Sequence, residues 1–356
     1  MLVINDLHAG TNRAGGTTPV SRALLADYVF NNIDDLLKRS DDGYTLINGD
    51  ALDGFLVDNR TLQRLFQSLS RFLSDPRCQH LYLARGNHDV SKDSTKLSSF
   101  DLLGFMLKEL APEQVTVITE PTRINWSGGS GVVLPHAPNQ DTFEAWMARA
   151  EELADGSKFL FVHANYDNEF AVEADHSLNI SADQAKQLNR TFRYIVFGHE
   201  HQARQNKGNG VIVLGNQFPT SISDCLGNER KVCMVLIGED IHMEDTWKAQ
   251  GSYYECDWSQ VHMVPETAQF VRLTGEASDE QASEVLETVS TLRKSHRAFV
   301  IGNAVTINGR ALDASASDAL EEVQKFSVLD FICQHMTPEQ AAALRAMAAR
   351  RETDNA

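Results

Sequence analysis

The sequence predicts a layered α/β fold, and three observations carry that expectation. Short apolar runs alternate with helix-periodic stripes over residues 1 to about 200. Apolar residues make up 42% and charged residues 23% of 356, the profile of a globular chain with room for one large domain and an appendage. No apolar run is long enough to cross a bilayer, so no membrane role is expected.

The elements follow in chain order. Met1-Leu2-Val3-Ile4 reads as a strand running straight into Asn5-Asp6, so no removable leader is expected ahead of it. Beyond Pro19, Leu24, Leu25, Tyr28, Val29, Ile33, Leu36 and Leu37 recur at helical spacing; Leu62, Leu65, Phe66, Leu69, Phe72 and Leu73 do so again. Such stripes ordinarily mark a helix face that packs on a core. Thr45-Leu46-Ile47, Leu81-Tyr82-Leu83, Phe159-Leu160-Phe161-Val162 and Tyr194-Ile195-Val196-Phe197 read as buried strands.

From Gly210 to Trp258 the texture is more β-like, and the pattern breaks between Ser259 and Thr267. A strand–helix–strand follows: Phe270-Val271-Arg272-Leu273, a helix near Asp279–Lys294, and Ala298-Phe299-Val300-Ile301. Two helices close the chain at Ser327–His335 and Pro338–Arg350, the second with Thr337 as N-cap and Pro338 at the first helical position. The expected division is a main domain at 1–258, a small α+β domain at 259–312 and a helical segment at 313–356.

Charge and cysteine usage limit the function classes. The formal net charge of −17 argues against a strong grip on duplex DNA by the protein surface alone, because phosphate contacts are usually made by Lys and Arg clusters. Metal ions can supply positive charge locally. Cys78, Cys225, Cys233, Cys256 and Cys333 are scattered and form no Cys-x-x-Cys, which disfavours a disulfide framework or a thiolate zinc site and suits a reducing cytoplasm.

Five short motifs carry the chemistry: Asp6-Leu7-His8, Gly49-Asp50, Gly86-Asn87-His88-Asp89, His163-Ala164-Asn165 and Gly198-His199-Glu200-His201. Each stands where an apolar strand ends, and in an open α/β sheet those loops converge on one crevice. In Asp-x-His and His-x-His, residues two apart in an extended chain project to one side. The donors are carboxylate, amide and imidazole with no sulfur, a set suited to a two-metal site of Mn²⁺, Fe or Zn²⁺ more than to Mg²⁺ or Ca²⁺. Asp50 is the natural bridge. Such a pair of ions clamps a phosphate and lowers the pKa of a water. The seven remaining histidines (80, 136, 176, 242, 262, 296 and 335) are read as ordinary polar residues, with His136 the one placed to line the cleft.

These motifs resemble the calcineurin-like metallophosphoesterases. The resemblance implies a four-layer α/β/β/α sandwich with one ion on Asp6, His8 and His201, the other on Asn87, His163 and His199, and Asp50 between them. It implies that His88 acts as the catalytic acid without binding metal, that Asp53 orients it, and that Asp89 supports the loop. Gly49-Asp50-Ala51-Leu52-Asp53-Gly54 and Gly86-Asn87-His88-Asp89 depart from the serine/threonine phosphatase pattern and are similar to SbcD-type DNA nucleases, including recombination nucleases of bacteriophages. Leu134-Pro135 matches a further element of that family; Leu214-Gly215-Asn216 matches its Gly-(Ser/Thr)-Pro turn only loosely.

The SbcD likeness extends downstream, where 268–302 resembles a capping domain and 327–350 resembles helices that dock on an SbcC-type ATPase. Its implication is a Mn²⁺-dependent DNA nuclease of repair or recombination, working as a homodimer with that ATPase. The alternatives are a calcineurin-like hydrolase of nucleotides or small phosphodiesters, and a recombination scaffold that binds more than it cleaves.

Overall fold

The structure, a computed structural model, describes residues 1–11, 19–90, 96–168, 178–206, 210–227, 229–295 and 298–311. The helical pair expected at 327–350, together with Cys333, His176, His296 and His335, lies outside the described residues. Among those that are described, no helix is long and apolar enough to cross a membrane.

The architecture is mixed α/β. The strands of its first part are β1 (Leu2–Ile4), β2 (Tyr44–Asn48), β3 (His80–Ala84), β4 (Val115–Ile118), β5 (Thr122–Trp126), β6 (Gly129–Leu134) and β7 (Phe159–His163). They continue with β8 (Asn165–Tyr166), β9 (Asn179–Ile180), β10 (Tyr194–Gly198), β11 (Arg204–Asn206), β12 (Val211–Val213), β13 (Arg230–Ile237) and β14 (Asp240–Lys248). Two six-stranded sheets result, in the orders β14-β13-β1-β2-β3-β4 and β11-β12-β10-β7-β6-β5. In the first, β1 to β4 run parallel. In the second, β6, β7, β10 and β12 run parallel.

The alternation of side chains along these strands sorts the core. In β1, Leu2 and Ile4 join one apolar cluster while Val3 joins another, as period-two projection requires. The first cluster is filled from α1 (Pro19–Leu37), α2 (Asn59–Leu73) and α3 (Ser99–Leu110). A second cluster joins Leu160 and Val162 of β7 to Phe143 and Met147 of α4 (Gln140–Glu152) and Ala185 and Leu188 of α5 (Ala182–Leu188). The third holds Val3 and Leu46 from one sheet and Phe159, Phe161 and Val196 from the other. There Trp126 packs edge-on against Phe159, ring centroids 5.7 Å apart. Local signals set the helix starts: Asp58 caps α2 by accepting from the Arg60 and Thr61 amides, and Ser98 with Asp101 forms a capping box on α3.

By compactness the chain divides into two units. One comprises Met1–Glu255, His262–Arg272 and Ser290–Gly302; the other Cys256–Val261, Leu273–Val289 and the described part of Asn303–Ala356. The strand–helix–strand at 270–301 is present as β16 (Phe270–Thr274), a helix at Ala282–Ser295 and β18 (Val300–Asn303), and the division runs through it. Strands β15 (Tyr253–Asp257), β16 and β18 form one small sheet. A second small sheet holds β17 (Glu276–Ala277), β19 (Thr306–Ile307) and β20 (Arg310–Ala311).

Candidate metal centre

The carboxyl ends of β1, β2, β3, β7 and β10 carry the five motifs and bring their side chains together. Asp6, His8, Asp50 and His163 are each at most 1% exposed. The route is not the extended one that the sequence suggested for Asp-x-His and His-x-His. The backbone is left-handed at Asp6 (φ 53°), His8 (45°), Asp50 (49°) and His199 (84°). Three of the five motifs thus leave their strands in tight turns, a conformation that costs non-glycine residues energy and is held by surrounding contacts. The His8 amide donates to the Asp50 carbonyl at 3.0 Å and the Asp6 amide to that of Gly49 at 3.1 Å, tying the two turns together.

Asp6, His8 and His201 form one group, their ligand atoms all within 4.8 Å of one another. The two imidazoles meet Nε2 to Nε2 at 2.9 Å. Asp6 is steered by the His199 amide, which donates to its two oxygens at 3.1 and 3.0 Å, and by the Asn5 side-chain amide. Asn5 is itself fixed where its amide donates to Gln217 Oε1 at 2.8 Å and its side chain to the Gly215 carbonyl at 2.9 Å.

Asp50, His163 and His199 form the second group. Asn87 Oδ1 lies 3.0 Å from His163 Nε2 and 2.8 Å from His199 Nδ1. His163 Nδ1 donates to the Asn48 carbonyl at 2.9 Å, which makes Nε2 the ring nitrogen that faces the Asn87 oxygen and the cluster. Asp50 touches both groups: its carboxylate is 3.9 Å from His8 Nε2 and 3.4 Å from His163 Nε2. Two glycines make room for this approach. A Cβ on Gly49 would sit 2.0 Å from His163 Nδ1, and one on Gly86 would sit 2.1 Å from Asp50 Oδ1.

The electrostatics are those of a buried anionic pocket. Burial opposes charge on His163, but the Asp50 carboxylate outweighs it and holds the imidazole up to about 9. Burial and the neighbouring His163 push His199 down to about 4. A pocket that retains a proton on a fully buried imidazole has a strongly negative potential, and a divalent cation is stabilised by the same field.

His88 forms a third group with His8 and Asp53, their ligand atoms also within 4.8 Å of one another. Its amide donates to Asp50 Oδ1 at 2.9 Å, its Nδ1 donates to the Asp53 carbonyl at 2.9 Å, and its ring centroid lies 5.0 Å from that of His8. Asp53 therefore orients His88 through its backbone, while its carboxylate lies 3.1 Å from His8 Nδ1. Asp89 is fully buried and accepts from the Gly86 amide at 2.8 Å and the Leu52 amide at 3.2 Å, joining the loop of His88 to that of Asp50. His136 sits next to the second group, its ring centroid 6.5 Å from that of His163.

Several supports of the site carry no signature of that role in the sequence. Glu200, between the two histidines of the last motif, accepts from the Tyr166 amide at 2.7 Å and pairs with Arg204. Asp224 and Lys231 lie outside every motif. Asp224 Oδ1 accepts from His201 Nδ1 at 2.7 Å, and Lys231 Nζ donates to the His201 carbonyl at 2.9 Å. The only local sign was Ser221-Ile222-Ser223-Asp224, a capping-box pattern that starts the short helix α6 (Ile222–Cys225).

The donors present fit divalent ions. The His8 and His201 ring nitrogens meet at 2.9 Å, the Asn87 amide oxygen lies 2.8 to 3.0 Å from those of His199 and His163, and the Asp50 carboxylate lies 3.4 and 3.9 Å from those of His163 and His8, a donor set that suits divalent cations. Ions held there would supply Lewis-acid charge to a phosphoester and lower the pKa of a water. The protein's part is to orient the ligands and to place His88 at the rim.

No curated protein sequence matches the chain. One solved crystal structure is 12% identical, covering 69% of this chain and 98% of its own, with a TM-score of 0.42. A protein of unknown function from Aquifex aeolicus is 17% identical, covering 51% of this chain and 88% of its own, with a TM-score of 0.26. The calcineurin-like phosphoesterase family matches residues 1–203, more than half of the sequence and the span that holds all five motifs. With its strand-end carboxylates and imidazoles gathered into one buried cluster, this chain belongs to the calcineurin-like phosphoesterase family.

Proposed function

We propose that this phosphoesterase is a Mn²⁺-dependent DNA nuclease of the SbcD type. The observation that carries the proposal is the pairing of Gly49-Asp50-Ala51-Leu52-Asp53 with Gly86-Asn87-His88-Asp89. That pair is similar to the nuclease pattern and unlike the phosphatase one, and it puts His88 beside Asp50. In this reading Asp6, His8 and His201 hold one ion, Asn87, His163 and His199 the other, and Asp50 reaches both. His88, fixed by its Nδ1–H bond to the Asp53 carbonyl, turns its other ring nitrogen toward the phosphate and protonates the leaving oxygen. The net charge of −17 makes binding of DNA dependent on the ions at the site.

The four-layer α/β/β/α arrangement belongs to the same reading and is supported by the three apolar clusters, one on each outer side and one shared by both sheets. So do a capping domain at 259–312, a homodimer, an SbcC-type ATPase docked on 313–356, and action in the cytoplasm. The test offers purified protein and Mn²⁺ three substrates: end-labelled linear DNA, a closed DNA circle and a chromogenic phosphodiester. Shortening of the linear DNA is the expected result. Hydrolysis of the chromogenic ester with both DNAs untouched would overturn the nuclease reading in favour of a small-phosphodiester hydrolase.

A further inference from the structure

We propose that Asp224 is a positioning residue for His201, acting on one of the two metal positions and not on the other. The proposal rests on the metal-centre reading above. Asp224 is 2% exposed, and its two oxygens are divided between separate tasks. Oδ2 accepts from the Thr220 amide at 2.8 Å, the Thr220 hydroxyl at 3.0 Å and the Ser221 amide at 3.0 Å. Those bonds anchor the carboxylate to its own loop. Oδ1 is directed at His201 Nδ1, 2.7 Å away.

A carboxylate that accepts from Nδ1 keeps the proton there, so the Nε2 lone pair of His201 points at the position shared with His8 and Asp6. It also makes the imidazole a stronger donor to a cation. The grip extends to the backbone, because Lys231, 1% exposed, donates to the His201 carbonyl at 2.9 Å. A buried carboxylate and a buried ammonium thus both act on one residue that is itself partly open, its side chain 27% exposed. Burying either charge is unfavourable unless it is paired and hydrogen-bonded. Both are compensated here, Lys231 by the His201 carbonyl and Asp224 by the His201 ring together with Thr220 and Ser221.

The second position is supported differently. His163 Nδ1 is held by a neutral backbone carbonyl, that of Asn48. Removing the charge of Asp224 therefore weakens the position of Asp6, His8 and His201 selectively.

The experiment is calorimetric titration of the metal-free, full-length protein with Mn²⁺. Wild type is expected to bind two ions per chain. In Asp224→Asn, which keeps the side-chain shape, one binding step weakens roughly 10- to 100-fold and the other keeps its affinity. The effect of Asp224→Asn disappears in a His201→Ala background. Two unchanged steps in Asp224→Asn, or two steps weakened alike, overturn the proposal. A wild-type protein that binds no Mn²⁺ would instead overturn the metal-centre reading beneath it. Nitrogen-resolved NMR of Zn²⁺-loaded wild type provides a readout that does not depend on the variant folding: His201 protonated on Nδ1 is expected, and protonation on Nε2 would refute the role of Asp224.

Discussion

Replacing Gly49 with alanine should empty the second metal position while leaving the fold mostly intact. Gly49 has φ +92°, and its ideal Cβ would lie 2.0, 2.5 and 2.6 Å from three ring atoms of His163. Carbon contacts are comfortable at 3.5 to 4.0 Å, so the ring or the turn must move by about 1.5 Å. The ring has nowhere to go, since His163 is fully buried and its Nδ1 is bonded to the Asn48 carbonyl at 2.9 Å. The left-handed backbone costs an alanine roughly 1–2 kcal/mol. Loss of the Asn48 bond adds about 1 kcal/mol. Gly49→Ala is therefore expected to lose about 2–3 kcal/mol of stability in denaturant titrations of the metal-free protein. Elemental analysis after dialysis against Mn²⁺ should find the ion of the second position missing. Wild-type stability together with full metal content would refute the argument that Gly49 is needed for the approach of His163.

Other outcomes follow from the same geometry. His88→Asn should lower turnover of a phosphodiester by roughly 100-fold or more with metal content near wild type, as the acid role proposed for His88 requires; metal loss in the variant would place His88 among the ligands, with His8 and Asp53. Mn²⁺ should stabilise the protein by about 2.7 kcal/mol at a hundredfold excess over its dissociation constant, read as a higher melting temperature that a chelator reverses. A melting temperature indifferent to both would refute ion binding. Cys78, Cys225, Cys233 and Cys256 are buried, and burial pushes the Cys78 and Cys233 thiols up to about 11, so a thiol reagent should modify these four only after unfolding. Labelling of any of them in the native protein, by peptide mapping, would contradict that burial.

The residues that resemble a dinuclear site could be picked out because their chemistry is local. Gly86-Asn87-His88-Asp89 and Gly198-His199-Glu200-His201 announce themselves by composition and by following apolar strands, and strand periodicity is written into consecutive residues. The helix stripes of α1 and α2 were legible for the same reason: a 3.6-residue repeat needs no knowledge of what it packs against.

What the local pattern could not contain was anything that depends on two distant segments meeting. Asp224 lies 23 residues beyond His201 in a stretch without metal-ligand character, and only the folded chain puts its carboxylate on the imidazole. The Asn48 carbonyl that sets the tautomer of His163 is a backbone atom, which no side-chain motif records. That the Asp53 carbonyl accepts from His88 Nδ1 while its carboxylate lies near both His8 and His88 is likewise visible only in the folded chain. The left-handed turns at Asp6, His8, Asp50 and His199 replaced the expected extended geometry, because backbone dihedrals at strand ends answer to the contacts around them and not to residue identity alone. Residue types and their order along strands thus belong to the sequence by itself. The direction in which each lone pair points was decided by tertiary contacts, since a hydrogen bond needs two partners and the sequence names only one at a time.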